Sequence, residues 1–177
     1  MHLRARIQSA VEHLPRGKTL PADVFERRHR GMVLLLWAHV PSLFVFAIAM
    51  GNSAGHGLFE ITGITLAALA ARSPRLSRRA RGTIVAIGLL TCSAVLVHLW
   101  HGAIEGHFHF FVMVTLLSLY EEWFPYLIAF VYVLVHHTVA GLVDPHSVFN
   151  HHAAQVHPCS GPASTRCSSA RWGSSTA

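Results

Sequence analysis

A chain of 177 residues that is 52% hydrophobic and only 12% charged does not have the balance of an ordinary water-soluble domain. Its formal net charge of +6 does not describe a nucleic-acid-binding face, because twelve of the fourteen Lys and Arg precede residue 82 and none lies between Gly82 and Thr165. Basic residues gathered beside apolar runs set the orientation of membrane helices instead.

In chain order, residues 1–30 read as a cytoplasmic lead-in. The stretch MHLRARIQSAVEHLPRGK has no contiguous apolar core before a small-residue cleavage site, so it is not a signal peptide. Its QSAVEHL portion fits a short amphipathic turn or two at a membrane surface, kept short by Pro15, Gly17 and Pro21. The first span is Gly31 to Gly51, with Arg27, Arg28 and Arg30 placing its start in the cytoplasm. Pro41 is expected to kink it near mid-membrane, close to His39.

After the polar link NSAGH a second span runs from about Gly57 to Ala71 and contains Glu60, which is expected to pair with a histidine or face the bundle interior. RSPRLSRRAR, with five arginines in ten residues, then returns the chain to the cytoplasm. The apolar stretch from Gly82 to Tyr120 is too long for one crossing of about 20 residues and must reverse. Gly102 and Gly106 mark the turn between a third helix, Gly82 to His101, and a fourth, His107 to Tyr120. Glu121 and Glu122 form a solvated boundary, Tyr120, Trp123 and Tyr126 an interfacial aromatic belt, and a fifth span follows from Phe124 to Val143.

The fold class is therefore all-α: a multi-pass helix bundle of the inner or plasma membrane with five spans and its N-terminus inside. Its outer links, residues 52–56, 102–106 and 144–157, carry no Lys or Arg. Residues 31–157 make up the membrane domain. The tail, 158–177, turns to Ser, Gly, Ala, Arg and Cys and reads as disordered. A frameshift near Pro158 is the other expectation for it, since the same bases in another frame admit a sixth apolar span. Cys92, Cys159 and Cys167 have no CxxC spacing and define no disulfide framework.

On this topology the histidines collect at the outer side. His98 and His101 end the third helix, Glu105 lies in the turn, His107 and His109 begin the fourth helix, and His136 and His137 lie in the outer half of the fifth. Ionisable groups within apolar spans cost several kcal/mol unless paired, solvated or bound to something. Imidazole with carboxylate and no nearby Cys suits copper, iron, zinc at an open site, or haem with axial histidines. The candidate metal ligands are accordingly His98, His101, Glu105, His107, His109, His136 and His137. His39 or His56 taken singly fits a helix–helix hydrogen bond better, and a metal-free pH sensor accounts for the cluster as well. Phe108, Phe110 and Phe111 read as packing and interface anchors. No nucleophile triad, phosphate loop or dinucleotide fingerprint appears, so no catalytic residue is assigned.

The stretches RRHRGMVLLLWAHVP, HLWHGAIEGHFHFFVMVTLLSLYEEWFPYL and YVLVHHTVAGLVDPHSVFNHHAAQVHP resemble a histidine-rich membrane region at the N-terminus of bacterial signalling proteins. The resemblance covers roughly residues 27 to 158 and is carried most specifically by HFHFF, LYEEWFP and the paired HH followed by DPHSVFNH. It implies a sixth span and then a cytoplasmic output module, a diguanylate cyclase, histidine kinase or chemoreceptor signalling region, before which this sequence is truncated. The reading is thus a sensory input domain for a metal, a haem-related ligand, redox state or pH. Its partners are the lipid bilayer, a metal ion or small extracytoplasmic ligand, and a second copy of the chain or a cytoplasmic signalling protein. A metal-dependent membrane redox protein or enzyme, and an ion or proton transporter, are the competing classes.

Overall fold

The computed structural model describes residues 20–143, and all its regular structure is helical. Five α-helices follow one another: α1 (Ala22–Ala49), α2 (Ala54–Ala71), α3 (Arg78–Leu99), α4 (Ile104–Leu117), continued by a 3-10 turn at Ser118–Tyr120, and α5 (Trp123–Val143). Expectations for residues 1–19 and 144–177, including the short amphipathic turn, the outer link after α5, the tail and its alternative frame, lie outside the described residues.

Helices α1, α2, α3 and α5 are long and apolar enough to cross a membrane; α4 is shorter. Its 14 residues rise about 21 Å and the 3-10 turn adds about 6 Å, together still short of a hydrocarbon thickness of about 30 Å. At 28 residues α1 is about 42 Å long and begins at Ala22 rather than Gly31, so Arg27, Arg28 and Arg30 are helical residues beyond the apolar length. Pro41 sits within this unbroken helix.

α3 is the axle of the bundle. It packs on α1, α2, α4 and α5, and 61% of its apolar window is buried, against 11% for α5. Close approach requires Gly88: a Cβ there would lie 2.9 Å from Leu36 Cδ2 and 3.2 Å from the Ala67 methyl, so α1, α2 and α3 converge at this one position. Leu36, Leu89, Leu90, Ile64 and Val85 are fully buried around it. The broad apolar surface left on α5, including Leu127, Phe130, Leu134 and Leu142, suits a hydrocarbon solvent rather than water.

The chain reverses after α3 within residues 100–103. His101 and Gly102 both take left-handed φ, 52° and 73°, and the Gly102 N–H donates to the Val97 carbonyl, a Schellman-type closure. Gly106 is not in this turn. It lies in the first part of α4, where a Cβ would press 3.3 Å from Val97 Cγ2, so it lets α4 pack on α3.

The two ends of the bundle differ in chemistry. At the arginine end, Arg81 binds Glu26 through both guanidinium nitrogens at 2.6 and 2.9 Å, Arg28 pairs with Glu121 at 2.7 Å, and Arg78 reaches Glu122 at 3.3 Å. Glu121 and Glu122 therefore tie the end of α4 to α1 and α3 rather than facing water unpaired. Tyr120 also departs from the aromatic belt expected of it: it is 1% exposed and packs under α1. His29, equally buried, donates from Nε2 to the Ala71 carbonyl at 2.9 Å, and its Nδ1 meets the Tyr120 hydroxyl at 2.9 Å. A carbonyl only accepts, so in the neutral ring Nδ1 is the acceptor and Tyr120 the donor. One imidazole thus fastens α1, the end of α2 and the turn after α4.

Replacing Tyr120 by Phe leaves His29 Nδ1 buried without its donor and should lower stability by about 1–3 kcal/mol. Thermal unfolding in detergent, followed by circular dichroism, reads this against Tyr126→Phe, which removes a hydroxyl with no hydrogen bond among the described residues. Equal midpoints for the two variants would show that the His29 bond contributes nothing.

Candidate functional site at the histidine end

The sequence-derived site residues do not converge on one point. The topology distributes them over three helix–helix contacts near the end where α1 and α3 finish and α2 and α4 begin.

The first group lies between α2 and α3. Ser53 caps α2 by accepting the His56 backbone N–H at 3.2 Å, which fixes the first turn. His56 and Glu60 are four residues apart and share one helix face. Glu60 Oε1 lies 3.6 Å from His56 Nε2 and 3.6 Å from His98 Nε2, on the last turn of α3. The expected Glu60–histidine pairing is thus present, with two imidazoles. The carboxylate is 17% exposed and the imidazoles 38% and 44%, so the group is open to water on one side.

The second group joins α1, α3 and α4. His39 Nδ1 donates to the Leu35 carbonyl at 2.8 Å, His39 Nε2 and His109 Nε2 are 3.1 Å apart, and His109 Nδ1 is 2.8 Å from the buried Ser93 hydroxyl. The Leu35 carbonyl sets the direction of the whole chain. With both rings neutral, His39 Nε2 must accept from His109 Nε2–H, and His109 Nδ1 from Ser93. One added proton leaves the His39–Leu35 bond as it is and reverses the two beyond it: His39 donates to His109, His109 Nδ1–H donates to Ser93 Oγ, and the Ser93 hydroxyl turns to the Leu89 carbonyl 3.3 Å away. Both proton states are satisfied without moving a helix.

The third group lies between α4 and α5. His107 and His137 face each other with ring centroids 5.4 Å apart, and His136 is 5.4 Å from His137. The Nδ1 atoms of His107 and His137 each donate to a carbonyl one turn earlier in their own helix, Ala103 at 3.1 Å and Val133 at 2.9 Å. Their Nε2 atoms are therefore left as lone-pair donors, the form in which imidazole binds a ligand. His136 stacks on Tyr132 at 6.1 Å and its buried Nδ1 has no hydrogen-bond partner among the described residues. Phe110 packs against both His136 and His137, whereas Phe108 and Phe111 face outward.

His101 and Glu105 stand apart. Both are exposed, and neither side chain makes a hydrogen bond, ion pair or ring contact among the described residues. The left-handed backbone at His101 breaks the helical register that would have stacked it under His98. Conversely, His39, His56, Glu60 and Ser93 take part although the charge map gave them no place in the metal set. The four-residue spacing of His56 and Glu60 was a usable signal. Nothing local distinguishes Ser93, which gains its role only because α4 places His109 against it.

Ser93→Ala removes the donor to His109 and should cost about 1–3 kcal/mol, more than Ser118→Ala at an exposed helix end. Thermal unfolding of the two variants in detergent checks this; a Ser93 variant as stable as the wild type would mean that the His39–His109–Ser93 chain is not formed.

Comparison with known proteins adds one relationship. No protein-family model and no solved structure matches the chain. Over 168 residues, 88% of this chain, it is similar, at 34% identity, to a protein named transducer protein Htr8 from Halobacterium salinarum. The match takes in 26% of that protein, so the chain spans about a quarter of the length of the curated relative it matches.

Proposed function

We propose that this chain is a membrane-embedded sensory input region, with its histidine end outside and its arginine end in the cytoplasm. The observation that carries the reading is the similarity to a transducer protein along 88% of the chain. The gathering of every described arginine at the end opposite His98 and His107 supports the orientation, because Lys and Arg beside spans are retained inside. The relative comes from Halobacterium salinarum, so the reading does not rest on a bacterial source.

In this proposal His98, His107, His109, His136 and His137, joined by His39, His56 and Glu60, receive the signal. A metal ion, a haem-related group, a redox change or a proton acts by favouring one of two packings of the helices around α3. The output reaches a cytoplasmic module or separate partner through the arginine end, where the Arg28–Glu121 and Arg78–Glu122 pairs join helices that would move relative to one another. A second copy of the chain is a natural partner on the apolar face of α5. The metal-dependent redox protein has no observation that favours it over sensing. Transport has less support, because the described carboxylates lie either at the histidine end (Glu60, Glu105) or at the arginine end (Asp23, Glu26, Glu121, Glu122), with none between.

Spin labels at Leu76→Cys and Leu119→Cys, in a chain freed of its native cysteines and held in lipid, report the arginine end. A shift of about 1–2 Å or more in their distance distribution is expected on adding the effective stimulus among transition metal, haem, reductant and acid. Identical distributions under all four conditions would sink the sensory reading.

A further inference from the structure

The geometry points to His56, Glu60 and His98 as a binding site for one divalent first-row transition ion, of the zinc(II) or iron(II) class, that clamps the start of α2 to the end of α3. This inference rests on the sensory reading and names the ligand of one of its three histidine groups.

The distances carry it. Glu60 Oε1 is 3.6 Å from each of the two imidazole Nε2 atoms, and one ligand atom from each of the three residues lies within 4.8 Å of the others. A separation of 3.6 Å exceeds the 2.7–3.2 Å of a good hydrogen bond, so the three groups are close without being bonded to one another. Ligand atoms around a tetrahedral ion at 2.0–2.1 Å are separated by about 3.3 Å. A displacement of a few tenths of an ångström would therefore bring the carboxylate and each imidazole onto a common ion. Two neutral imidazoles and one carboxylate with no sulfur are a donor set for zinc at an open site or for non-haem iron(II).

The surroundings agree with the donor set. The open side, with imidazoles 38% and 44% exposed, gives an ion a path in and room for a water or exchangeable ligand in the remaining position. Glu60 supplies one negative charge, and the C-terminal end of α3 beside His98 adds the favourable end of a helix dipole. Two ligands sit four residues apart on α2 and are fixed by the Ser53 cap; the third comes from α3. Binding must therefore join two helices, which is the differential contact that a change of packing requires.

Cobalt(II) titration of the full chain in detergent, read by its visible d–d absorption and by competition with zinc(II), tests the site. One ion per chain is expected. Glu60→Gln, His98→Gln and His56→Gln should each weaken binding at least about tenfold, since loss of a ligand costs no less than loss of an outer-shell partner. His101→Ala and Glu105→Gln should bind as the wild type does. The glutamine variants keep a polar side chain, and an unchanged thermal midpoint before metal is added separates lost ligation from misfolding. Absence of stoichiometric binding by the wild type, or undiminished binding by Glu60→Gln and His98→Gln, would overturn the site. The spin-label distances keep the two readings apart. A response to acid or haem that persists in Glu60→Gln, with no cobalt bound by the wild type, defeats the metal site alone. Cobalt held by these ligands with no distance change under any stimulus defeats the sensory reading alone.

Discussion

A polar side chain carried into the apolar length of a helix bundle must find a partner there, because hydrocarbon offers none. That constraint accounts for most of the specific geometry in this protein. His29 is bonded at both ring nitrogens, to Ala71 and Tyr120. His39 and His109 are bonded to each other and at their outer nitrogens to Leu35 and Ser93. Thr62, Thr65, Thr83, Thr91, Thr115 and Thr138 each donate to the carbonyl one turn earlier in their own helix, which satisfies a hydroxyl wherever the helix faces. Apolar packing around α3 holds the helices together; the polar bonds decide how they are rotated and staggered.

The two ends answer this constraint differently. The arginine end uses full charges arranged as pairs, at 2.6–3.3 Å, with the buried His29–Tyr120 bond beneath them. Glu26, Glu121 and Glu122 are each taken up by an arginine, while Arg78 Nε and Nη2 are buried with no hydrogen bond among the described residues. The histidine end has bonding capacity to spare: lone pairs on His107 and His137 Nε2, a His136 Nδ1 without a partner among the described residues, and a carboxylate close to two imidazoles. α3 runs between the two ends and packs on every other helix.

Much of this was legible in one dimension. The alternation of apolar runs with RSPRLSRRAR, and the lack of Lys or Arg from Gly82 to Thr165, was enough to place the helices and to separate the two ends, because helix length and charge asymmetry are properties of contiguous sequence. The link after α3 was also visible, through Gly102. Gly106 misled, because a glycine needed for its backbone conformation and one needed for close helix contact look alike in sequence.

The sequence by itself determined which residues are present at the histidine end, and how many helices bring them there, through composition and period alone. Only the tertiary structure decided who meets whom. His98 turns toward Glu60 and His56 rather than His101, because the left-handed backbone at His101 ends the helical register between them. His109 faces His39 and Ser93 rather than His107, because residues two apart on a helix point to different sides. Tyr120 leaves the interface for the interior because the turn after α4 folds it under α1, where His29 has a ring nitrogen to offer. Which neighbour each side chain then meets depends on how the helices pack, and α1, α2 and α3 are brought together at Gly88 by contacts between residues far apart in sequence, Leu36 and Ala67.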